Sequence, residues 1–178
     1  MNVRDAAVSP RDFVLGVTAS GATSYVLGVL REARRRGAPT GAIVCNEPPA
    51  DFPADHVIHL ATGPEVLAGS TRMKAGSATK MTLNAISLAA MVRLGKVHGN
   101  RMVDLRVGSR KLLERARRLV VEIAETDAAS ADAALAASGG HAKLAIVMVR
   151  CGVAADDARR RLDAAGGSLR AALAAGDA

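Results

Sequence analysis

Phe13 to Gly37 reads FVLGVTASGATSYVLGVLREARRRG, and the fold turns on this stretch. Phe13 to Val17 is a short apolar run ending at small residues, the pattern of an interior parallel strand. Behind it Tyr25, Val26, Val29, Leu30 and Ala33 recur at helical spacing. Arg34 to Arg36 suit the negative end of that helix's dipole, and Gly37 is a natural stop. Between strand and helix lies TASGATSY, Thr18 to Tyr25, with hydroxyl side chains crowded around a glycine.

Working outward, Gly41 to Cys45 reads as a second strand, Asn46 to Pro53 as a turn-rich loop and His56 to Leu60 as a third strand. Strand, helix and strand with short connections predict a right-handed parallel unit. After the loop ATGPEVLAGS, a long helix is expected from about Thr71 to Leu94, closed by Gly95. From Ser109 onward the pattern is helical alone. Ser109 can cap a helix carrying Leu112, Leu113, Ala116, Leu119, Val120 and Ile123. Gly139 with Gly140, Gly152, and Gly166 with Gly167 punctuate three more helices. The last segment, VAADDARRRLDAAGGSLRAAL, has the helix, Gly-Gly turn, helix pattern of a small binding module.

A chain of 178 residues can bury one sizeable core, so one main domain with a small appendage is expected. Two Phe, one Tyr and no Trp leave that core to aliphatic residues. The net charge of +7 comes mostly from arginine. Its densest runs, Arg34 to Arg36, Arg115 to Arg118 and Arg159 to Arg161, fall on expected helices and read as solvated faces. With so few aromatics to stack bases, no nucleic-acid partner is expected. Cys45 and Cys151 lack metal-ligand spacing, so no metal is expected, and both read as buried small side chains in a reducing compartment. The start has no apolar signal core, and no apolar stretch is long enough to span a bilayer. A cytoplasmic protein without a membrane partner is the expectation.

Two stretches carry chemistry. A Ser/Thr/Gly turn from strand to helix offers an anion backbone N–H groups, hydroxyls, close approach at Gly21 and the positive end of a helix dipole. Thr18, Ser20, Thr23 and Ser24 would supply those hydroxyls, while ordinary capping by Ser20 or Thr23 needs only one of them. The second stretch is GPEVLAGSTRMKAGSATK, Gly63 to Lys80. Ser70 and Thr71 are expected at a helix start, with Arg72 and Lys74 in its first turn, where cations oppose the dipole unless an anion sits there. Pairing of the two cations with Glu65, or their solvation, accounts for the pattern equally well.

GPEVLAGSTRMKAGSATK resembles the signature of the N-acetylmuramic acid 6-phosphate etherase family, which includes the vertebrate glucokinase regulatory protein. The resemblance extends through GVTASGATSYVLGVL, KMTLNAISLAAMVRLGKVHGNRMVDLRVGSRKLLERARRLV and KLAIVMVRCGVAADDARRRLDAAGGSLRAAL, covering nearly the whole chain. It implies an α/β fold: a partial sugar isomerase (SIS) parallel sheet flanked by helices over 1–108, then an all-helical region over 109–178 ending in a bundle similar to a ubiquitin-associated domain. It implies a lyase that cleaves the D-lactyl ether to give N-acetylglucosamine 6-phosphate and D-lactate in peptidoglycan recycling. A homodimer, a phosphosugar substrate and no cofactor are implied as well.

By matching position, the resemblance puts Ser20, Gly21 and Thr23 in the phosphosugar loop and Glu65, Ser70, Thr71, Arg72 and Lys74 near the ligand. Ala22 stands where the family commonly has Arg, and Ser24 where it has Pro. The family also has a long front segment before the position of Ser9 and Pro10, holding the first strand and helix, a further sugar loop and the two glutamates that act as acid and base. This chain does not contain it, so a separate N-terminal half is one expected partner. Turnover by this chain alone would need a substitute carboxylate. Glu65 is the best placed, against a capping or pairing role for the same side chain, and Asp104 and His98 are weaker. The alternative function is a catalytically silent phosphosugar-binding regulatory module.

Overall fold

A computed structural model describes residues 6–174. The outermost residues of the two expected domain ranges therefore lie outside the described part. The chain divides into two compact units, Met1–Ala85 and Ile86–Ala178.

The first unit is an α/β layer. Strand β1 (Val14–Thr18), helix α1 (Ser24–Arg35), β2 (Thr40–Val44) and β3 (His56–His59) follow in order. The strands pair in parallel as β1-β2-β3, with Gly16 opposite Ala42 and Ala42 opposite Val57. All five residues of the central β2 are buried, as a strand covered on both faces requires. Helix α1 packs on β1 and β2, and Leu30 is fully buried in a small core with Ala42, Val44 and Phe52. Gly16 permits this approach, because a Cβ there would lie 2.8 Å from Val26 Cγ1 and 3.0 Å from Leu30 Cδ1.

Two of the arginines at the end of α1 share one acid. Arg35 and Arg36 both pair with Glu32, whose carboxyl is held down to about 2 by their hydrogen bonds. Arg34 pairs with Asp55, which also accepts from the backbone N–H and hydroxyl of Thr40. These cations are thereby committed to local partners, and Arg36, which also donates to the carbonyl of Ala6, is only half-buried rather than on a fully solvated face.

Helix α2 (Lys74–Arg93) runs from the first unit into the second. It begins three residues later than the sequence pattern suggests. The reason is local: residues 71–73 form a turn, and the first helical N–H groups are capped from a distance by Glu65. The second unit also holds a feature the apolar periodicity does not reveal, a short antiparallel hairpin of β4 (Val97–His98) and β5 (Arg101–Met102). Two-residue strands are too short to carry a period.

Five helices complete that unit: α3 (Arg110–Ala124), α4 (Ala128–Ala137), α5 (Ala142–Cys151), α6 (Ala155–Ala164) and α7 (Leu169–Ala174). Ser109 caps α3 as expected, its hydroxyl accepting from Leu112 N–H at 3.3 Å, and Asp127 caps α4 through Ser130 N–H. Helix α5 is central, touching α3, α4, α6 and α7. Ala145, Ile146 and Val147 are fully buried, joined by Val120, Leu162 and Leu169 in one core. Arg117 and Asp132 tie α3 to α4 with two parallel bonds of 2.6 and 2.7 Å. The expected mixed α/β layer followed by helices is what the structure has.

Candidate functional site

Parallel strands deliver their C-terminal ends to one edge, and loops there gather ligands. In this chain those ends are Thr18, Val44 and His59. The loop after β1 is tied to the end of β2 by Ala19, whose carbonyl accepts from the N–H groups of Cys45 and Asn46 at 3.0 and 3.1 Å.

Within the loop the hydroxyls form a chain. Thr18, nearly fully buried, lies with its Oγ1 2.8 Å from Thr23 Oγ1 and 3.4 Å from Ser20 Oγ. Ser20 Oγ also accepts from Ala22 N–H at 3.2 Å. Thr23 is the N-cap of α1, yet its side chain makes no capping bond, and no acid sits in the first helical turn. Simple capping by Thr23 is thus not what this hydroxyl cluster does. Gly21 has φ +72, a conformation that favours glycine, and a Cβ there would meet nothing nearer than Phe52 at 3.9 Å. Its role is backbone shape rather than room.

A cleft of about 330 Å³ opens beside this loop. Ala19 lines it from the first loop, Cys45 and Asn46 from the end of β2, and Thr62, Gly63, Glu65, Ser70 and Thr71 from the segment after β3. Of the residues singled out in the sequence, Glu65, Ser70 and Thr71 therefore meet at one cleft. Ser20, Gly21 and Thr23 belong to the adjoining loop without lining it. Arg72 is exposed ahead of α2, and Lys74, the first residue of that helix, donates from Nζ to the carbonyl of Pro64 at 2.9 Å. Lys74 thus lies in the first turn of α2 as expected, whereas Ser70, Thr71 and Arg72 precede the helix, which corrects the expected helix start.

The anion at the start of α2 is the chain's own Glu65. Its Oε2 accepts from Lys74 N–H and its Oε1 from Ala75 N–H, each at 3.0 Å. These two bonds hold the carboxyl below the usual glutamate range. A carboxylate occupied on both oxygens and biased toward ionisation is a structural cap, and a poor proton donor near neutrality. Of the other two candidates Asp104 has local partners, whereas the buried Nδ1 of His98 has no hydrogen-bond partner among the described residues. Asp104 pairs with Lys96 and Lys143, and its carboxyl is lowered first by the Lys96 hydrogen bond. His98 sits half-buried in β4, opposite Arg101.

Sequence reading passed over Asn46 and Thr62. Asn46 stands two residues after β2, close to the strand end, so the rule that ligands gather at strand ends would have found it. Thr62 carries no such signal until the loop is folded. Among the described residues no group of three or more His, Cys, Asp or Glu side chains could hold a metal. No helix among them is long and apolar enough to cross a membrane.

Three parallel strands, a hydroxyl-rich turn into a covering helix and a cleft at the strand ends define an α/β layer of the sugar isomerase type. Residues 3–89 match the SIS domain family. Over nearly its whole length it is homologous to proteins named N-acetylmuramic acid 6-phosphate etherase. It is 53% identical to the Mycolicibacterium smegmatis protein over 95% of this chain and 57% of the relative. It is equally similar to the Rubrobacter xylanophilus protein, and 47% identical to the Deinococcus radiodurans protein over 99% of this chain and 58% of that relative. The chain thus spans a little over half the length of the curated relatives it matches.

Proposed function

We propose that this chain supplies the phosphosugar-holding part of an N-acetylmuramic acid 6-phosphate etherase. The observation that carries the reading is the loop from Thr18 to Thr23. Its hydroxyls cluster beside a helix start that lacks both a side-chain cap and an acid, an arrangement that suits a phosphate. The adjoining cleft, with Asn46, Ser70 and Thr71, would receive the sugar. Ser20, Gly21, Thr23, Ser70, Thr71, Arg72 and Lys74 form the proposed binding set, and Glu65 holds the signature segment in place.

Eliminating lactate from C3 of the sugar requires a base to take the C2 proton and an acid to protonate the departing oxygen. Each such group contributes about 10² to 10⁴ in rate. Glu65 is engaged elsewhere, so we assign acid and base to polypeptide corresponding to the part of the relatives that this chain does not match. The working assembly is a cytoplasmic homodimer needing no cofactor. In it residues 1–108 form the SIS part, and residues 109–178 a helical region whose end is similar to a ubiquitin-associated bundle.

Calorimetric titration with N-acetylglucosamine 6-phosphate tests the binding half. The chain should bind the sugar phosphate, and Ser20→Ala should weaken binding by about tenfold to a hundredfold, the loss of one hydrogen bond to a charged group. No binding, or binding indifferent to Ser20→Ala, would contradict the reading. The engagement of both Glu65 oxygens also favours a second reading, a silent phosphosugar-binding regulatory module. That reading requires binding without lactate release even when the portion of the relatives that this chain does not match is supplied.

A further inference from the structure

The cleft at the strand ends is lined by four neutral polar side chains, those of Asn46, Thr62, Ser70 and Thr71. None of their side-chain atoms bonds to another described residue. The ionisable groups beside them are already engaged. Glu65 gives both oxygens to main-chain N–H groups, and the buried Cys45 thiol lies 4.0 Å from the Ala75 carbonyl and 3.7 Å from the Thr79 hydroxyl. No Lys, Arg or His lines the cleft. A set of uncommitted neutral donors and acceptors suits the uncharged part of a ligand and fixes its orientation.

Asn46 differs in kind from the three hydroxyls. A hydroxyl turns to suit whatever meets it, whereas a carboxamide holds an acceptor oxygen and an NH2 donor in one plane. Its complement is another amide, whose N–H meets the oxygen and whose carbonyl meets the NH2. An acetamido group on a sugar is such an amide, and a hydroxyl on the same carbon is not. The position of Asn46 is set by its main chain. Its N–H donates to the Ala19 carbonyl at 3.1 Å, beside the bond from Cys45 at 3.0 Å, so it stands next to the hydroxyl-rich loop while its side chain stays exposed. An acetamido group also carries a methyl, and Ala19, Cys45 and Ala75 supply apolar lining to the same cleft.

We infer that Asn46 determines which sugar this cleft accepts, a reading that rests on the phosphosugar-binding function proposed above. Its carboxamide recognises the acetamido group of a 2-acetamido sugar phosphate. A sugar with a bare 2-hydroxyl leaves that carboxamide imperfectly paired and is held less tightly.

The test titrates the full chain calorimetrically with N-acetylglucosamine 6-phosphate and with glucose 6-phosphate, which differ only at C2. The acetamido sugar should bind more tightly by about tenfold to a hundredfold, the scale of one or two hydrogen bonds. Asn46→Ala should abolish that preference by weakening the acetamido sugar alone. Asn46→Leu, which keeps the volume without the polar atoms, should do the same. The preference is a ratio taken within one protein, so a variant that folds less completely does not alter it. Equal affinity of the parent chain for the two sugars would overturn the inference. So would a preference that survives both substitutions, or an equal loss of both sugars. In each of those cases phosphosugar binding itself stands, whereas binding of neither sugar by the parent chain would overturn the proposed function and this specificity together.

Discussion

Glu65 accepts from two main-chain N–H groups, and that governs what it can do with a proton. Its folded value lies below the ordinary 4.5. Its stabilisation of the start of α2 is therefore fully present above pH 4.5 and is lost as pH falls through the lower folded value. Carboxyl NMR should give a midpoint under 4.5, with the amides of Lys74 and Ala75 exchanging faster below it. A midpoint near 6 would mark a catalytic acid instead. Glu65→Gln should speed exchange at those amides at neutral pH, because the charge-assisted bonds are weakened. Gly21 is the second decisive residue. Gly21→Ala should cost about 1 to 2 kcal/mol in thermal denaturation, the penalty of holding an L-residue in the left-handed region, since space for the methyl is ample. The hydroxyls of this loop and the glutamate of the signature were legible in the sequence. A capping role for Glu65 was among the readings the sequence offered, but which groups it caps was not legible, because they are main-chain N–H groups nine and ten residues away.

At the scale of elements, apolar periodicity placed β1, α1, β2 and β3 to within a residue or so. Each is either a short run bounded by small residues or an amphipathic helix with arginines at its end. It misjudged the start of α2 because Ser70 and Thr71 resemble N-caps, whereas the cap arrives from Glu65. It missed the hairpin of β4 and β5 because two residues hold no period. The helical part was readable in outline from its glycines, and Ser109 as a cap, but among the described residues four helices follow α3 rather than three, because the break between α3 and α4 falls at Glu125 to Asp127, where no glycine marks it. Ser109→Ala should destabilise α3 by about 1 kcal/mol, measured by chemical denaturation. Ile146→Ala, at the centre of α5, should cost about 2 to 5 kcal/mol, the range for truncating a fully buried aliphatic side chain.

For the whole molecule, the sequence carried the fold class and the placing of a cleft at the strand ends. It could not show that the longest helix would stand exposed, since LNAISLAAMVRL reads equally as a buried helix of a finished core. The structure presents a parallel α/β layer whose one cleft carboxylate singled out in advance, Glu65, is committed to capping. The central claim is that such a chain holds the substrate but borrows its acid and base. The most direct test is lactate release from N-acetylmuramic acid 6-phosphate, by the purified chain and by the chain joined to the unmatched portion of the M. smegmatis relative. The account predicts turnover in the joined form and a rate lower by about four or more orders of magnitude in the chain alone, the loss of two positioned proton-transfer groups. Comparable turnover by the chain alone would contradict it.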